Sequence, residues 1–334
     1  MNRRTFLTAS AAATVPFLGC AGGGQQLLNC SYDATRELYR RLNRAFAEHY
    51  LAEHGKAVRV TPSHGGSGSQ ARAVIDGLPA DVVTLAMWPD TEAVAKKQLV
   101  RPDWLDRFPH RSCPYTSTIV FVVRRGNPLG LRDWSDLAAH PTVKVIAANP
   151  KTSGAAKLGV VAAWGSVVAA GGSAREADDL VRAVYRKVPA LESSSRVATV
   201  TFARKQIGDV HLTWENEAWL EQREMKGELE IVYPARSILA EPHVAIVDAN
   251  VERNGTRAVA EAYLNFLYAS PSQDAIAENY YRPTTPAAAA RHAEKFGNLD
   301  RFPIASVLPG GWPEAQKRFF DDGALFDRVF QSGG

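Results

Sequence analysis

Cysteine is scarce in this 334-residue chain, and neither sign of charge is in large excess. Three cysteines exclude a disulfide-scaffolded domain and a cysteine-rich zinc array. Lysine and arginine total 39 against 35 acidic residues, which leaves little net charge for binding a nucleic acid. No apolar run reaches the roughly 20 residues of a permanent membrane span. What remains, 46% hydrophobic and 22% charged residues, is typical of a soluble globular protein with two domains or lobes.

The beginning of the chain is predicted to direct export. Two adjacent arginines precede a short apolar stretch, so residues 1–19 are similar to a twin-arginine signal peptide. The sequence FLGC at 17–20 is similar to a lipobox, in which Cys20 becomes the lipidated first residue of the mature chain. The alternative is a cleaved signal that leaves an unanchored protein. If the lipobox interpretation holds, residues 20–26 are a lipidated cysteine followed by a glycine-rich tether. Losing the signal removes two arginines and no acid, which lowers the net charge from +4 to +2.

Short β-type runs alternate with amphipathic segments along the rest of the chain. The predicted strands are 27–30, 58–60, 81–86, 118–123, 143–148, 209–214, 229–233 and 243–248. Leu38, Leu42 and Phe46 are spaced four apart, so they share one face of a helix. This alternation indicates an α/β fold with mainly parallel sheets. The basic stretch 36–44 is predicted to be a solvated helix face.

Four strand-to-helix turns are rich in serine and glycine. They comprise residues 30–33, 63–68, 149–155 and 193–196. Ligands of open α/β sheets bind beyond the carboxyl ends of the strands, where helix N-termini offer N–H groups and partial positive charge to an anion. One such turn usually does no more than end a strand and cap a helix. Four on one chain are compatible with a shared anion site, and the residues alone leave both interpretations open.

The blocks that contain these turns resemble the sulfate-binding proteins of bacterial ABC importers. The similar segments are LLNCSYDATRELY, SHGGSGSQA, PYTSTIVFVVRRGNP, NPKTSGAAK, GDVHLTWENEA, ILAEP, YYRP and, near the C-terminus, GGWPEAQKRFFDDGALFD. The resemblance covers essentially the mature chain from Leu27 onwards. It implies an α/β, two-lobed type II periplasmic-binding fold whose ligand cleft closes over one dehydrated sulfate.

The division into lobes follows from two expected crossings of the chain, near 113–121 and 238–248. Lobe 1 is predicted to comprise 27–113 with about 242–285, and lobe 2 about 114–241. The segment of about 286–334 is expected to pack across both lobes.

Carried over by position, the resemblance implies seven residues that bind sulfate. The main-chain N–H donors are Asp33, Ser67, Gly154, Ala155 and Ser195, the hydroxyl donor is Ser153, and the indole donor is Trp214. Two positions depart from the family's pattern, since glycine is usual at Ala155 and alanine at Ser195. Both changes can alter the width of the pocket, and Ser195 can add a hydroxyl donor.

Trp214 is the most informative of these residues. A tryptophan at the end of an apolar strand is more often core packing when the sequence is considered alone. Within the block TWENEA, however, the resemblance implies a ligand contact. The similar thiosulfate-binding branch carries phenylalanine there, which donates no hydrogen bond. Trp214 therefore favours sulfate, with overlapping thiosulfate binding expected.

A site of this kind requires no countercharge. Charge-assisted hydrogen bonds contribute roughly 1.5–3 kcal/mol each, and micromolar binding requires only about 8 kcal/mol. Sulfate carries no proton, so a site built from donors alone would leave the proton of hydrogen phosphate facing another donor and reject it. The resemblance places Arg196 and Lys151 outside direct contact, with direct pairing to the anion as the alternative.

The expected protein is a monomeric receptor in the periplasm or at the cell surface. The resemblance implies delivery of sulfate to ABC permease subunits with an ATPase partner, no catalytic residue, no cofactor, no metal and no nucleic acid, and membrane contact only through a lipid anchor. One alternative is another tetrahedral oxyanion such as thiosulfate, molybdate or tungstate. The other is an exported sulfate or phosphate ester hydrolase, suggested by His64 near Ser67, although residues 65–69 lack the nucleophile-elbow pattern.

Two cysteines remain after Cys20. An oxidising exterior would allow Cys30 and Cys113 to form a disulfide, and two buried free thiols are the alternative.

Overall fold

The structure is a computed structural model that describes residues 24–331. The predicted signal peptide of residues 1–19 and the predicted lipidation site Cys20 lie outside the described residues. The predicted tether extends two residues too far, because Gln25 and Gln26 belong to the first strand. Their backbone groups pair with the neighbouring strand, in register with Val58 and Arg59, which holds them in the sheet.

Twelve strands are present in the described part of the chain. They are β1 (Gln25–Tyr32), β2 (Val58–Gly65), β3 (Val82–Leu85), β4 (Tyr115–Thr116), β5 (Ile119–Arg124), β6 (Val145–Ile146), β7 (Val210–Trp214), β8 (Leu229–Val232), β9 (Arg236–Ile238), β10 (His243–Ile246), β11 (Arg282–Pro283) and β12 (Asp300–Phe302). Each of the eight strands predicted from the sequence corresponds to one of these, with different ends.

The same residues contain sixteen α-helical segments. They are α1 (Arg36–His54), α2 (Ser67–Ile75), α3 (Trp88–Ala95), α4 (Pro109–Ser112), α5 (Trp134–Ala139), α6 (Gly154–Ala169), α7 (Ala174–Tyr185), α8 (Ser195–Thr199), α9 (Glu215–Glu224), α10 (Asp248–Asn254), α11 (Arg257–Phe266), α12 (Ser270–Glu278), α13 (Pro286–Arg291), α14 (Ile304–Val307), α15 (Gly311–Ala315) and α16 (Leu325–Gln331). A 3-10 turn, Asp33–Thr35, precedes α1, and a π-helical turn, Val200–Arg204, continues α8.

Lobe 1 consists of the first sheet and the helices and loops packed on it. The strand order of this sheet is β10-β3-β1-β2. Strand β1 pairs in parallel with β2 and β3, and β10 runs antiparallel to β3. One face is covered by α1 and α11, and Leu38, Leu42 and Phe46 are buried on it as the four-residue spacing predicts. Residues of α2 and α3 cover the other face, so the sheet lies between two helical layers.

Lobe 2 consists of the second sheet and the helices and loops packed on it. The strand order of this sheet is β6-β7-β5-β8. Strands β6 and β7 are parallel, whereas β5 runs antiparallel to both β7 and β8. Helices α6 and α7 pack on one face of this sheet, and residues of α8, α9 and the π-helical turn pack on the other. The two sheets are therefore mixed, with parallel pairing at β1, β2, β3 and at β6, β7.

The chain passes between the two sheets through segments that pair with each other. Strand β4 pairs with β11, and next to it Ser117 forms an antiparallel bridge with Ala240. Ser117 lies between β3 and β5 on the outward path and Ala240 between β8 and β10 on the return path, whereas β11 comes later in the chain, after α12. The crossings are thus short paired strands, a suitable place for a hinge.

The C-terminal part packs mainly on lobe 2. Strand β12 pairs in parallel with β9, and Phe302, Phe319 and Phe326 join the core formed with α6 and α7. Helix α15 also reaches α3 of lobe 1, so the segment contacts both lobes.

The suggested disulfide is wrong in this structure, which contains Cys30 and Cys113 as buried free thiols. Cys30 Sγ donates to the Gln70 carbonyl within lobe 1, and Cys113 Sγ donates to the Tyr115 carbonyl at the crossing. Burial raises the pKa of the Cys30 thiol to about 12, and burial also raises that of Cys113, so both stay protonated and unreactive.

Among residues 24–331, no helix combines the length and apolar character that a membrane span requires. Within the same range, no three His, Cys, Asp or Glu side chains are grouped as metal ligands.

Candidate functional site

A small cavity lies between the lobes, where strands β1, β2, β3 and β7 reach their carboxyl ends. Its volume is about 40 Å³. This is roughly three to four times what one water needs, which suits a small ion. The lining residues are Tyr32, Asp33, Ala34, Gly65, Gly66, Ser67 and Ala86 from lobe 1, and Thr152, Ser153, Gly154, Ala155, Ser194, Ser195, Arg196 and Trp214 from lobe 2. All seven residues that the sequence suggested for anion binding are among them.

Helix N-termini converge on this cavity from both lobes. Helix α2 begins at Ser67, α6 at Gly154 and α8 at Ser195, and the 3-10 turn before α1 begins at Asp33. The first N–H groups of a helix have no partner within the helix, and its dipole makes this end partly positive. The cavity therefore concentrates N–H donors and partial positive charge without surplus lysine or arginine.

The side chains of Asp33 and Ser67 on the lobe 1 wall are already bonded within lobe 1. Asp33 Oδ1 accepts a 2.6 Å hydrogen bond from Arg36. Ser67 Oγ donates to Asp90 Oδ2 at 2.5 Å and accepts from the Ala86 N–H at 3.0 Å. What this wall has left to offer an anion at Asp33 and Ser67 is main-chain N–H.

Asp90 is a supporting residue that the sequence reasoning missed. It follows β3, whose carboxyl end points to the same edge of the sheet as the four noted turns, so the strand-end rule could have identified it. Burial raises the pKa of its carboxyl, while the Ser67 hydrogen bond and Lys157 of lobe 2 oppose that shift.

The lobe 2 wall has side-chain hydroxyls that are not committed to its helices. Ser153 is the N-cap of α6, yet its side chain forms no capping bond. Its Oγ lies 3.0 Å from Ser195 Oγ, and either atom can be the donor. The neighbouring Ser194 performs the capping of α8 by accepting from the Val197 N–H. Ser153 and Ser195 are therefore both available to a ligand.

Trp214 differs from the other deeply buried tryptophans in its hydrogen bonding. Trp104, Trp134 and Trp164 donate their indole N–H groups to Glu92, the Arg236 carbonyl and Asp178. Trp214 is only 1% exposed and its ring lies 5.8 Å from that of Tyr32, but no acceptor within residues 24–331 bonds its indole N–H. Because buried indole N–H groups normally find an acceptor, this donor is suited to a ligand in the cavity.

Gly154 allows the two lobes to approach closely. A side chain at this position would place its Cβ 3.2 Å from Met87 Sδ and 3.7 Å from the Ala86 Cβ, both in lobe 1. The lobes also bond directly, since Asn216 Nδ2 of lobe 2 donates to the Tyr281 hydroxyl of lobe 1 at 3.0 Å.

The three other candidate charged side chains have different placements. Arg196 lines the cavity and is itself exposed to solvent. Lys151 instead bonds the Phe320 carbonyl and Asp327 in the C-terminal segment. His64 Nδ1 lies 3.2 Å from the Tyr32 carbonyl oxygen, and the Ser67 hydroxyl is bonded to Asp90, so the structure does not pair His64 with Ser67 as base and nucleophile. Burial lowers the pKa of His64.

Buried carboxylates stand beside the cavity at the start of α9. Glu215 forms two hydrogen bonds of 2.6 and 2.7 Å with Arg282, which neutralises it. Glu217 is also buried, and its carboxyl oxygen accepts a long hydrogen bond of 3.4 Å from Asn216. Burial, reinforced by Glu221 and other nearby acids, raises the pKa of Glu217 to about 8. Glu217 is therefore mostly uncharged at neutral pH, which avoids a second buried charge near an anion site.

Comparison with known proteins assigns the family. The model for bacterial extracellular solute-binding proteins matches residues 27–282. The chain belongs to this family. This solute-binding protein is 48% identical over 306 residues to the sulfate-binding protein of Escherichia coli, covering 91% of this chain and 92% of that one. It is 44% identical over 330 residues to the thiosulfate-binding protein of Pseudomonas aeruginosa, covering 98% and 99% of the two chains.

A solved structure confirms the fold of this solute-binding protein. The sulfate-binding protein SubI of Mycobacterium tuberculosis superimposes with a TM-score of 0.79 at 30% identity, covering 89% of this chain and all of that one. The expected α/β, two-lobed type II periplasmic-binding fold is thus confirmed. The geometry around the cavity can surround a small anion with neutral donors from both lobes.

Proposed function

We propose that this solute-binding protein is an extracytoplasmic receptor for sulfate. The anion would occupy the cavity between the lobes, held by the N–H groups of Asp33, Ser67, Gly154, Ala155 and Ser195, the Ser153 hydroxyl and the Trp214 indole. The lobes would close on it and deliver it to ABC permease subunits driven by an ATPase partner.

The free indole N–H of Trp214 is the observation that carries this proposal. It belongs to a side chain that is only 1% exposed and lines the cavity next to three helix N-termini, and no residue in the described part of the chain accepts a hydrogen bond from it. A dianion without protons satisfies every one of these donors at once. Relatives named for sulfate and thiosulfate binding support the same class of ligand.

Isothermal titration calorimetry tests this directly. The protein is unfolded, dialysed to remove bound anions, refolded and titrated with sulfate. We expect one sulfate per chain with a Kd of about 1 µM or below, equivalent to at least about 8 kcal/mol. Absence of sulfate binding by refolded protein with intact circular dichroism would contradict the proposal.

Thiosulfate is a second candidate ligand, favoured by the 44% identity to a thiosulfate-binding protein. Replacing one oxygen by sulfur weakens the acceptor that faces a given donor, so we expect thiosulfate to compete with sulfate but less strongly. Competition titrations with thiosulfate, molybdate and tungstate would rank the oxyanions.

The proposed receptor acts without catalysis, cofactor or metal, and as a monomer in the periplasm or at the cell surface, tethered through Cys20. The hydrolase alternative lacks a paired base and nucleophile at Ser67. Turnover of an aryl sulfate or aryl phosphate ester by the purified protein would restore that alternative. Mass spectrometry of the mature N-terminus would test lipidation at Cys20.

A further inference from the structure

The serine and threonine hydroxyls that line the cavity fall into two groups. Those of Ser67, Thr152 and Ser194 are bonded to Asp90, to the Ser193 carbonyl and to the Val197 N–H. The hydroxyls of Ser153 and Ser195 bond only each other among the described residues, at 3.0 Å. This Ser153–Ser195 pair is therefore the part of the serine and threonine lining whose hydrogen atoms can be rearranged without breaking the local fold.

A hydroxyl differs from an N–H group in that it also accepts hydrogen bonds. When one serine of the pair donates to the other, one O–H remains to donate to a ligand. The serine that donates within the pair keeps lone pairs that can accept a hydrogen bond from an O–H group of the ligand. The cavity wall is therefore not made of donors alone, in contrast to the expectation that a donor-only site would reject hydrogen phosphate.

We propose that the Ser153–Ser195 pair extends the ligand class of this site to singly protonated tetrahedral dianions, of which hydrogen phosphate is the test case. In this arrangement the anion's O–H donates to Ser195 Oγ, Ser195 donates to Ser153 Oγ, and Ser153 donates to a second oxygen of the anion. With sulfate the Ser195 O–H turns toward the anion, and no heavy atom has to move. This inference rests on the proposed function, because it concerns the same cavity.

The physical reason is that sulfate and hydrogen phosphate have the same charge and shape and differ in one proton. Discrimination between them depends on what that proton faces. If the proton of hydrogen phosphate faces an N–H group, two hydrogen-bond donors point at each other, which is unfavourable. If the proton faces the Ser195 oxygen, it forms an additional hydrogen bond.

The variant that tests the inference is Ser195→Ala. It retains the main-chain N–H but removes the acceptor oxygen. Displacement of sulfate is measured by calorimetry at about pH 8, where inorganic phosphate is mainly the singly protonated dianion. Selenate, a tetrahedral dianion without a proton, serves as the matched competitor. We expect phosphate affinity to fall about 10-fold more than selenate or sulfate affinity, the effect of one hydrogen bond.

Two further variants separate the acceptor from local disturbance. Ser195→Thr keeps a hydroxyl and is expected to retain the ratio of phosphate to selenate affinity found in the wild type. Ser194→Ala removes a hydroxyl of the same turn that serves the helix cap, and is expected to weaken the three anions alike. Both measurements are made on the full mature chain.

Equal losses of phosphate and selenate affinity in Ser195→Ala would overturn the inference. So would a wild-type protein that binds sulfate but is not displaced by millimolar phosphate, and in both cases the proposed function would stand. If the wild type bound no sulfate, the proposed function would fail and this inference with it.

Discussion

The two walls of the cavity use the same local structure in different ways. On the lobe 1 wall, Asp33 and Ser67 have their side chains bonded to Arg36 and Asp90. On the lobe 2 wall, the Ser153 hydroxyl caps no helix and is paired with Ser195 of the same wall, and the Trp214 indole N–H has no acceptor in the described residues. At Asp33 and Ser67, lobe 1 therefore contributes main-chain N–H, whereas lobe 2 contributes main-chain N–H together with hydroxyl and indole groups.

This difference separates affinity from selectivity. Main-chain N–H groups at helix N-termini attract an anion of any identity, because they depend on backbone position and dipole. Side-chain donors distinguish anions by direction, proton content and the acceptor strength of each oxygen. Lobe 2 is therefore expected to decide which oxyanion is bound, and lobe 1 to hold the geometry of the closed site.

The largest effect is expected for Trp214→Phe on the lobe 2 wall. The variant keeps an aromatic side chain but loses the indole donor, so sulfate affinity should fall about 10- to 100-fold, as for one hydrogen bond to a charged group. Thiosulfate affinity should fall less. Calorimetry measures both, and Trp219→Phe, whose indole N–H bonds the Tyr233 hydroxyl instead, is the matched control. Equal losses for the two anions would count against an indole contact with sulfate.

An intermediate effect is expected from comparing one serine on each wall. Ser153→Ala removes a hydroxyl that performs no capping, so we expect about 10-fold weaker sulfate binding and little change in stability. Ser67→Ala leaves Asp90 and the Ala86 N–H without their common partner, so we expect a loss of about 1–3 kcal/mol in the free energy of unfolding. Urea denaturation and calorimetry on both variants provide the test. If Ser153→Ala were the less stable variant, the contrast between the walls would be incorrect.

The smallest effect on anion binding is expected for Glu217→Gln beside the lobe 2 wall, because this side chain changes the pH dependence of stability and does not contact the ligand. In the folded protein Glu217 keeps its proton up to about pH 8, whereas in the unfolded chain it loses it near its ordinary value of 4.5. Because the folded state holds the extra proton between these values, the wild type should lose stability as the pH rises through that window, by at most about 1.4 kcal/mol per pH unit. Glu217→Gln should lack this decline.

Urea titrations of the two proteins from about pH 5 to about pH 9 measure the difference. Glu228→Gln, an exposed glutamate just beyond the same helix, is the control and should follow the wild type. Parallel pH profiles for wild type and Glu217→Gln would show that Glu217 is charged in the folded protein.

Local sequence patterns predicted the main strands and helices well, because these patterns depend on residues that are close together in the chain. The four-residue spacing of Leu38, Leu42 and Phe46 identified the buried face of α1, and the serine- and glycine-rich turns identified the ends of β1, β2 and β6. The antiparallel pairing of β5 with β7 and β8 could not be predicted in this way, since strand direction depends on where the chain crosses between the sheets.

Long-range proximity was the main source of error. Two cysteines invited a disulfide, but Cys30 lies inside the lobe 1 sheet while Cys113 lies at the crossing, each with its own carbonyl acceptor. The glycine-rich stretch suggested a tether through Gln26, whereas β2, more than thirty residues later, supplies backbone partners for Gln25 and Gln26.

The sequence by itself determined the secondary structure, the anion-type turns and the identities of the residues placed in them. Only the tertiary structure decided which of those side chains are free. Ser67 is bonded because Asp90, from another helix, reaches its hydroxyl, and Ser153 is paired with Ser195 because two turns 42 residues apart meet at the cavity. The physical reason is that a hydroxyl's availability depends on the competing partners within about 3 Å, and packing of distant segments decides which partners are that close.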